Sequence, residues 1–313
     1  MTRCGILLPS FDPVRSGKPA PVVRAARLAE SLGFDAVWVG DHLACPSPHL
    51  EATGVLAAAA AVTEHIELGF SVMLLGMRPI AWSAKQLVTI DSLSGGRLLL
   101  GVGVGGEFPQ EFAAAGVPVA ERGARLNESL EVLPDLLRGQ PVEHSGRTLQ
   151  LRIPALEPPI SSVPPVYVGG RGEAALRRAA RFGDMWLPMW LEPEVLADRS
   201  ARLAELAEEH GRPRPGVALL VGVNVDDDAD QARREAEAHL NGLYNLPLKV
   251  VERWTPVGSP DRVLEYLEAQ LAAGVQELIL MPLGGDPLGQ YERLAEVRDR
   301  LIRTPATAPG GGM

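Results

Sequence analysis

Three short stretches carry residue types that do chemistry together. Asp41-His42 places a carboxylate beside a histidine at the end of a strand-forming run, a position shared by none of His49, His65, His144, His210 or His239. Imidazole titrates near neutrality, so a histidine there suits proton transfer. The same pair would equally serve to cap the following loop. Gly169-Gly170-Arg171-Gly172 follows an apolar run and opens a helical segment at Glu173. Backbone N–H groups at a helix N-terminus, unshielded by side chains, make an anion site. Arg171 could add a charge-assisted contact; a tight strand-to-helix turn without ligand is the other reading. Glu173 suits the helix dipole and is expected to point outward, leaving its N–H to bind. Gly101-Val102-Gly103-Val104-Gly105-Gly106 satisfies the G-x-G-x-x-G pattern. The next helical stretch leads to Gly139, Gln140 and Pro141, not to a strand ending in an acid that could hold a ribose. These glycines are therefore read as letting backbone approach a planar ring. Glu107, just beyond them, is a second candidate acid or base.

Bringing these stretches together requires a barrel. Runs at 5–8, 36–39, 67–72, 98–102, 166–168, 185–188, 217–223 and 277–281 are continuously apolar, as parallel strands covered on both faces are. Helical spacing fills 21–32, 124–137 and 261–273, and Gly33, Gly139 and Gly274 stand where left-handed C-caps are wanted. Strand followed by helix, eight times, predicts an α/β fold: a TIM-like (β/α)₈ barrel with loop insertions at its C-terminal face. One domain is expected over 1–303, with a flexible tail at 304–313. The insertions fall at 140–165 and 243–260. Barrel chemistry gathers at the C-terminal ends of strands. Phe11, Trp82, Trp186, Trp190 and Tyr244 are expected to give that mouth an apolar lining, although each tryptophan alone reads equally as packing.

Composition removes several classes. The 313 residues are 46% hydrophobic and 22% charged, which excludes a disordered chain. A formal charge of −9 without a polybasic run argues against nucleic acid. Apolar stretches such as 55–62 and 98–104 are too short to span a membrane, and no signal-peptide pattern opens the chain, so a cytoplasmic location is expected. Cys4 and Cys45 make no disulfide framework, and no histidine pair has ligand spacing, so no metal is expected.

Several segments together resemble the bacterial luciferase-like monooxygenase superfamily, particularly its deazaflavin (coenzyme F420)-dependent oxidoreductase branch. They are 30–42 (ESLGFDAVWVGDH), 62–72 (VTEHIELGFSV), Arg78-Pro79, 93–105 (LSGGRLLLGVGVG), 116–122 (GVPVAER) and 165–188 (PVYVGGRGEAALRRAARFGDMWLP). The resemblance implies a TIM-like barrel with its cofactor across the C-terminal mouth. It implies that Asp41 touches the cofactor ring edge and that His42 is the acid or electrostatic partner. Ser71-Val72 matches a bulge holding a non-prolyl cis peptide under the ring. Leu74, Val104 and Gly105 match ring and ribityl contacts. Gly169, Gly170, Arg171, Gly172, Glu173, Ala174 and Ala175 form the matching phosphate turn. In the family's sugar-phosphate dehydrogenases a glutamate directly follows the position of Gly105. Here Gly106 intervenes before Glu107, Pro46 stands for their tryptophan, and their basic substrate-phosphate residues are not recognisable, which argues against that activity.

The expected function is hydride transfer between coenzyme F420 and a small organic substrate, with His42 handling a proton, Asp41 orienting it and Glu107 in reserve. The alternative is a two-component monooxygenase using reduced FMN, for which the same phosphate turn would serve. A non-catalytic flavin-binding or partner subunit is the alternative of another class. A homodimer is expected, with a flavin or deazaflavin reductase as a further partner.

Overall fold

The computed structural model describes residues 2–18 and 20–303, so the expected tail at 304–313 lies outside the described residues. The strands are β1 (Arg3–Leu7), β2 (Ala36–Val39), β3 (Glu67–Phe70), β4 (Leu98–Val102), β5 (Val142–Ser145) and β6 (Gln150–Ile153). They continue with β7 (Val166–Gly169), β8 (Met185–Leu187), β9 (Gly216–Val225), β10 (Val257–Gly258) and β11 (Glu277–Pro282). The helices are α1 (Val22–Ser31), α2 (Ala52–Ala60), α3 (Ile80–Ser94), α4 (Pro109–Ala114), α5 (Arg122–Leu137) and α6 (Glu173–Phe182). After them come α7 (Pro193–Glu209), α8 (Ala229–Tyr244), α9 (Leu248–Val251), α10 (Pro260–Ala272) and α11 (Pro287–Arg303).

Eight strands close a parallel barrel in the order β1, β2, β3, β4, β7, β8, β9, β11. Closure comes from Met185 and Trp186 pairing with Gly216 and Val217. Helices cover it through apolar stripes such as Val22, Ala25, Ala26 and Ala29 of α1, whose spacing fits one helical face. Gly33, Gly139 and Gly274 all take positive φ after their helices.

The insertions lie at opposite ends. Residues 243–260 return to the C-terminal end of β9, where β10 pairs with Asn224 and Val225. Residues 140–165 connect the end of α5 to the start of β7, which places them away from the mouth and corrects the expectation for that insertion. Their register forms the antiparallel β5–β6 hairpin, from Val142 opposite Ile153 to Ser145 opposite Gln150. Glu128 of α5 holds it by accepting from the N–H groups of Thr148 (3.1 Å) and Leu149 (2.8 Å). The third strand stops at Phe70, two residues short of expectation, and the peptide between Ser71 and Val72 just beyond it is cis.

The barrel interior is filled at its lower end. Trp38 is fully buried, and a Cβ on Gly5 or Gly69, on the two flanking strands, would come within 2.4 Å and 2.2 Å of its ring. Tyr167 meets Trp38 edge-on at 5.0 Å and donates its hydroxyl to buried Glu277 at 2.8 Å. Burial pushes the Glu277 carboxyl upward, against the lowering effects of Tyr167 and Arg3. Among the described residues no helix is long and apolar enough to cross a membrane.

Gly69→Ala forces a methyl into the indole of Trp38, an overpacking expected to cost about 1–3 kcal/mol. Urea unfolding measures it, and an unchanged midpoint would contradict the packing.

Candidate active site

A cavity of about 680 Å³ opens at the C-terminal end of the barrel, a size suited to a small molecule. One wall brings the backbone of two chain segments unusually close together. After the cis peptide, Met73 pairs with β4: its N–H donates to the Gly101 carbonyl (2.8 Å) and its carbonyl accepts from Gly103 N–H (3.1 Å). A Cβ on Gly101 would lie 1.9 Å from the Phe70 oxygen, and one on Gly103 would lie 2.3 Å from Val72 Cγ2. These glycines exist because the bulge and β4 approach so closely, which accounts for a G-x-G-x-x-G pattern outside a dinucleotide fold. Ser71, Val72, Leu74, Gly103, Val104 and Gly105 all line this wall.

The wall runs to β7, where Gly169, Gly170 and Arg171 also line the cavity. Gly170 has φ +122°, and its carbonyl accepts from Trp186 Nε1 at 2.8 Å. Trp186 is therefore a buried anchor behind the turn, correcting its expected place in the lining. Trp82 is 70% exposed on α3, outside the cavity, whereas Phe11, Trp190 and Tyr244 line it. Gly172 caps α6 with φ −85° and ψ 168°, and Ala175 N–H donates back to its carbonyl at 2.9 Å. Gly172, Glu173, Ala174 and Ala175 do not line the cavity itself; they continue the turn at its edge. The Glu173 carboxylate pairs with Arg177 (2.9 Å) and Arg202 (3.1 Å), so it points away from the turn. The helix thus offers its first N–H groups without an opposing carboxylate.

His42 stands at the end of β2 on the cavity, but Asp41 does not orient it. The Asp41 carboxylate takes Arg78 Nη2 on Oδ1 (2.6 Å) and the Leu74 N–H on Oδ2 (2.9 Å), bracing the chain that leaves the bulge. The carboxylate on His42 belongs to Glu111, whose Oε1 lies 3.0 Å from Nδ1. Glu111 Oε2 also accepts from the N–H groups of Leu43 (2.6 Å) and Ala44 (3.1 Å). Burial raises the Glu111 pKa, but the His42 hydrogen bond and charge, with the two loop amides, outweigh it and hold the carboxyl below its usual range. An ionised acceptor on Nδ1 fixes the Nδ1–H form and leaves Nε2 as the ring nitrogen for the cavity. Phe11 and Phe108 meet the imidazole edge-on at 6.0 and 5.2 Å. Glu111 escaped the sequence reading; its one signal is an acid set between Phe108 and Phe112 in a short helix after β4. Glu107, by contrast, is exposed at the rim, where it and Cys45 reinforce the burial that pushes the Tyr244 hydroxyl up.

A parallel barrel with a cis-peptide bulge, a glycine-lined wall and a carboxylate-held histidine defines a class. The chain belongs to the luciferase-like monooxygenase family, whose model matches residues 2–277. Uncharacterised proteins of Mycobacterium bovis and Mycobacterium tuberculosis are 33% identical over 224 residues, covering 64% of this chain and 77% of theirs. Among solved structures, an F420-dependent secondary alcohol dehydrogenase in complex with an F420-acetone adduct superposes with TM-score 0.83 at 21% identity, over 96% of this chain and 99% of that one. The monooxygenase RslO1 of Streptomyces bottropensis gives 0.82 at 22%, over 96% and 98%. The coenzyme F420-dependent tetrahydromethanopterin reductase of Methanopyrus kandleri gives 0.77 at 23%, over 94% and 97%.

Glu111→Gln leaves one acceptor oxygen for three donors, an expected loss of about 1–3 kcal/mol at pH 7. Because the folded pKa lies below the ordinary value, the carboxylate's stabilisation is full above the ordinary range and is lost as pH falls through the folded pKa. The gap between wild type and variant in urea unfolding should therefore narrow on acidification. Equal stability at pH 7 would contradict the pairing.

Proposed function

We propose that this protein is an oxidoreductase that moves a hydride between a deazaflavin, coenzyme F420, and a small organic substrate. The observation that carries this reading is His42 Nδ1 fixed on buried Glu111, which frees Nε2 in a cavity that Val72, Leu74, Gly103, Val104 and Gly105 also line. The fit to a flat ring rests on that wall: side chains on Gly101 or Gly103 would collide with Phe70 and Val72, so the cavity there is lined by glycine backbone and the aliphatic side chains of Val72, Leu74 and Val104. Val72, Leu74, Val104 and Gly105 would hold the ring, and the N–H groups of Glu173 and Ala174, with Gly170 and Arg171, would hold the phosphate. When bound, the deazaflavin supplies a two-electron hydride carrier. His42 Nε2 gives or takes the proton that accompanies the hydride at the substrate, a role typically worth about 10²–10⁴ in rate. Glu111 keeps the imidazole in one tautomer, while Arg78 and the Leu74 amide hold Asp41 and with it the bulge. The F420-dependent enzymes among its structural neighbours support the deazaflavin, and the neighbouring monooxygenase RslO1 keeps the monooxygenase reading as the rival. A homodimer and a reductase partner belong to the same proposal.

Titration with F420 and with FMN tests the cofactor. Tighter F420 binding supports the reading, tighter FMN binding transfers the protein to the monooxygenases, and binding without turnover of any substrate makes it a carrier subunit.

Gly172→Asp separates ligand from fold. Its backbone angles are ordinary, nothing lies within 4 Å of a new Cβ, and aspartate is a favoured N-cap. Cofactor affinity should fall while the cofactor-free thermal midpoint holds or rises; unchanged affinity would remove this turn from the site. His42→Ala should lower turnover by about 10²-fold or more with little change in cofactor affinity. Parallel loss of binding and stability would make His42 a loop cap instead.

A further inference from the structure

Across the barrel from the bulge stands a second histidine that the reaction above does not use. β9 is four strands from β3 in the closed order, so α8, which follows β9, rises on the opposite side of the mouth. His239 of α8 lines the cavity, and its Nδ1 accepts from Gly284 N–H at 3.2 Å. A nitrogen that accepts carries no proton, so in the neutral ring the proton sits on Nε2. No protein acceptor for Nε2 is present among the described residues. Burial pushes the His239 pKa down to about 4, so the ring stays neutral at physiological pH.

The surrounding wall is apolar: Leu220, Leu243, Met281, Met189 and Trp190. Tyr244, also on α8, adds a hydroxyl that burial keeps protonated. Of the carboxylates that line the cavity near this side, Asp12 accepts from the N–H groups of Ser16 and Gly17, Asp286 accepts from that of Gly289, and Glu107 lies exposed at the rim. Lys18 and Arg24 are exposed at the rim. Once a ligand fills the cavity and displaces its water, a donor left without an acceptor is costly, and neither an ammonium nor a hydrocarbon can supply one.

We propose that His239 is a substrate-recognition residue whose Nε2–H takes the oxygen of an uncharged, largely apolar ketone or alcohol. The assignment of this wall to substrate rests on the deazaflavin reading, which gives the opposite wall to the cofactor.

The test uses the full-length, cofactor-free protein, with cyclohexanone and its isostere methylenecyclohexane, which lacks the oxygen, as probes. Nitrogen-15 NMR should show His239 as the neutral Nε2–H tautomer at pH 7. Wild type should bind cyclohexanone roughly tenfold more tightly than the hydrocarbon, the value of one hydrogen bond. His239→Leu should abolish the preference, and His239→Gln, whose amide N–H falls near Nε2, should keep part of it. If the leucine variant does not fold, His239→Asn can still accept from Gly284 while removing the same donor. A proton on Nδ1, no binding of cyclohexanone, equal affinities in wild type, or a preference surviving in the leucine and asparagine variants would overturn the proposal. Failure of both cofactors to bind would sink the deazaflavin reading and leave these measurements standing.

Discussion

A carboxylate withdrawn from water must be paired, and the mouth of this barrel withdraws two. Asp41 and Glu111 are 4% and 0% exposed. Asp41 takes Arg78 and the Leu74 amide, tying the end of β2 to the chain beyond the bulge. Glu111 takes His42 and the amides of Leu43 and Ala44, tying the loop after β2 to the helix after β4. Between them the two acids lock the exits of β2, β3 and β4 together. The imidazole keeps one orientation because every atom on its Nδ1 side is committed.

The rest of the mouth follows from what that lock leaves open. On the β3–β4–β7 side, backbone crowding excludes side chains at Gly101 and Gly103, and the wall that Val72, Leu74 and Val104 complete ends at a helix N-terminus. On the β9–β11 side, apolar side chains and two neutral donors project inward. The cavity is thus asymmetric, with glycines, small aliphatic side chains and a nearby helix N-terminus on one half and a more apolar surface carrying His239 and Tyr244 on the other. His42 and Phe11 occupy the seam. The Tyr167–Glu277 pair and Trp38 close the floor, so the chemistry is confined to the C-terminal end.

Much of this was legible in the residues. Continuous apolar runs gave the strands because both faces of a parallel sheet are covered, and glycines at 33, 139 and 274 ended helices where positive φ was needed. The cis peptide at Ser71-Val72 came from family resemblance, since no local pattern announces it. Pairing across the chain was not legible. Asp41 adjoins His42 in sequence, yet successive residues leave a strand on opposite sides, and Glu111, 69 positions away, reaches the ring instead. Trp186 could not be told from a lining residue, because its indole turns on a hydrogen bond to Gly170. The hairpin at 142–153 hid within a proline-rich stretch, held by Glu128 from a distant helix.

The most direct measurement is a crystal structure of the protein with coenzyme F420 bound. The phosphate is expected to accept hydrogen bonds from the N–H groups of Glu173 and Ala174, with the ring against Val72 and Gly105. A phosphate seated instead at the opposite rim, between Lys18 and Arg24, would contradict the division of the cavity and the role given to the glycine wall.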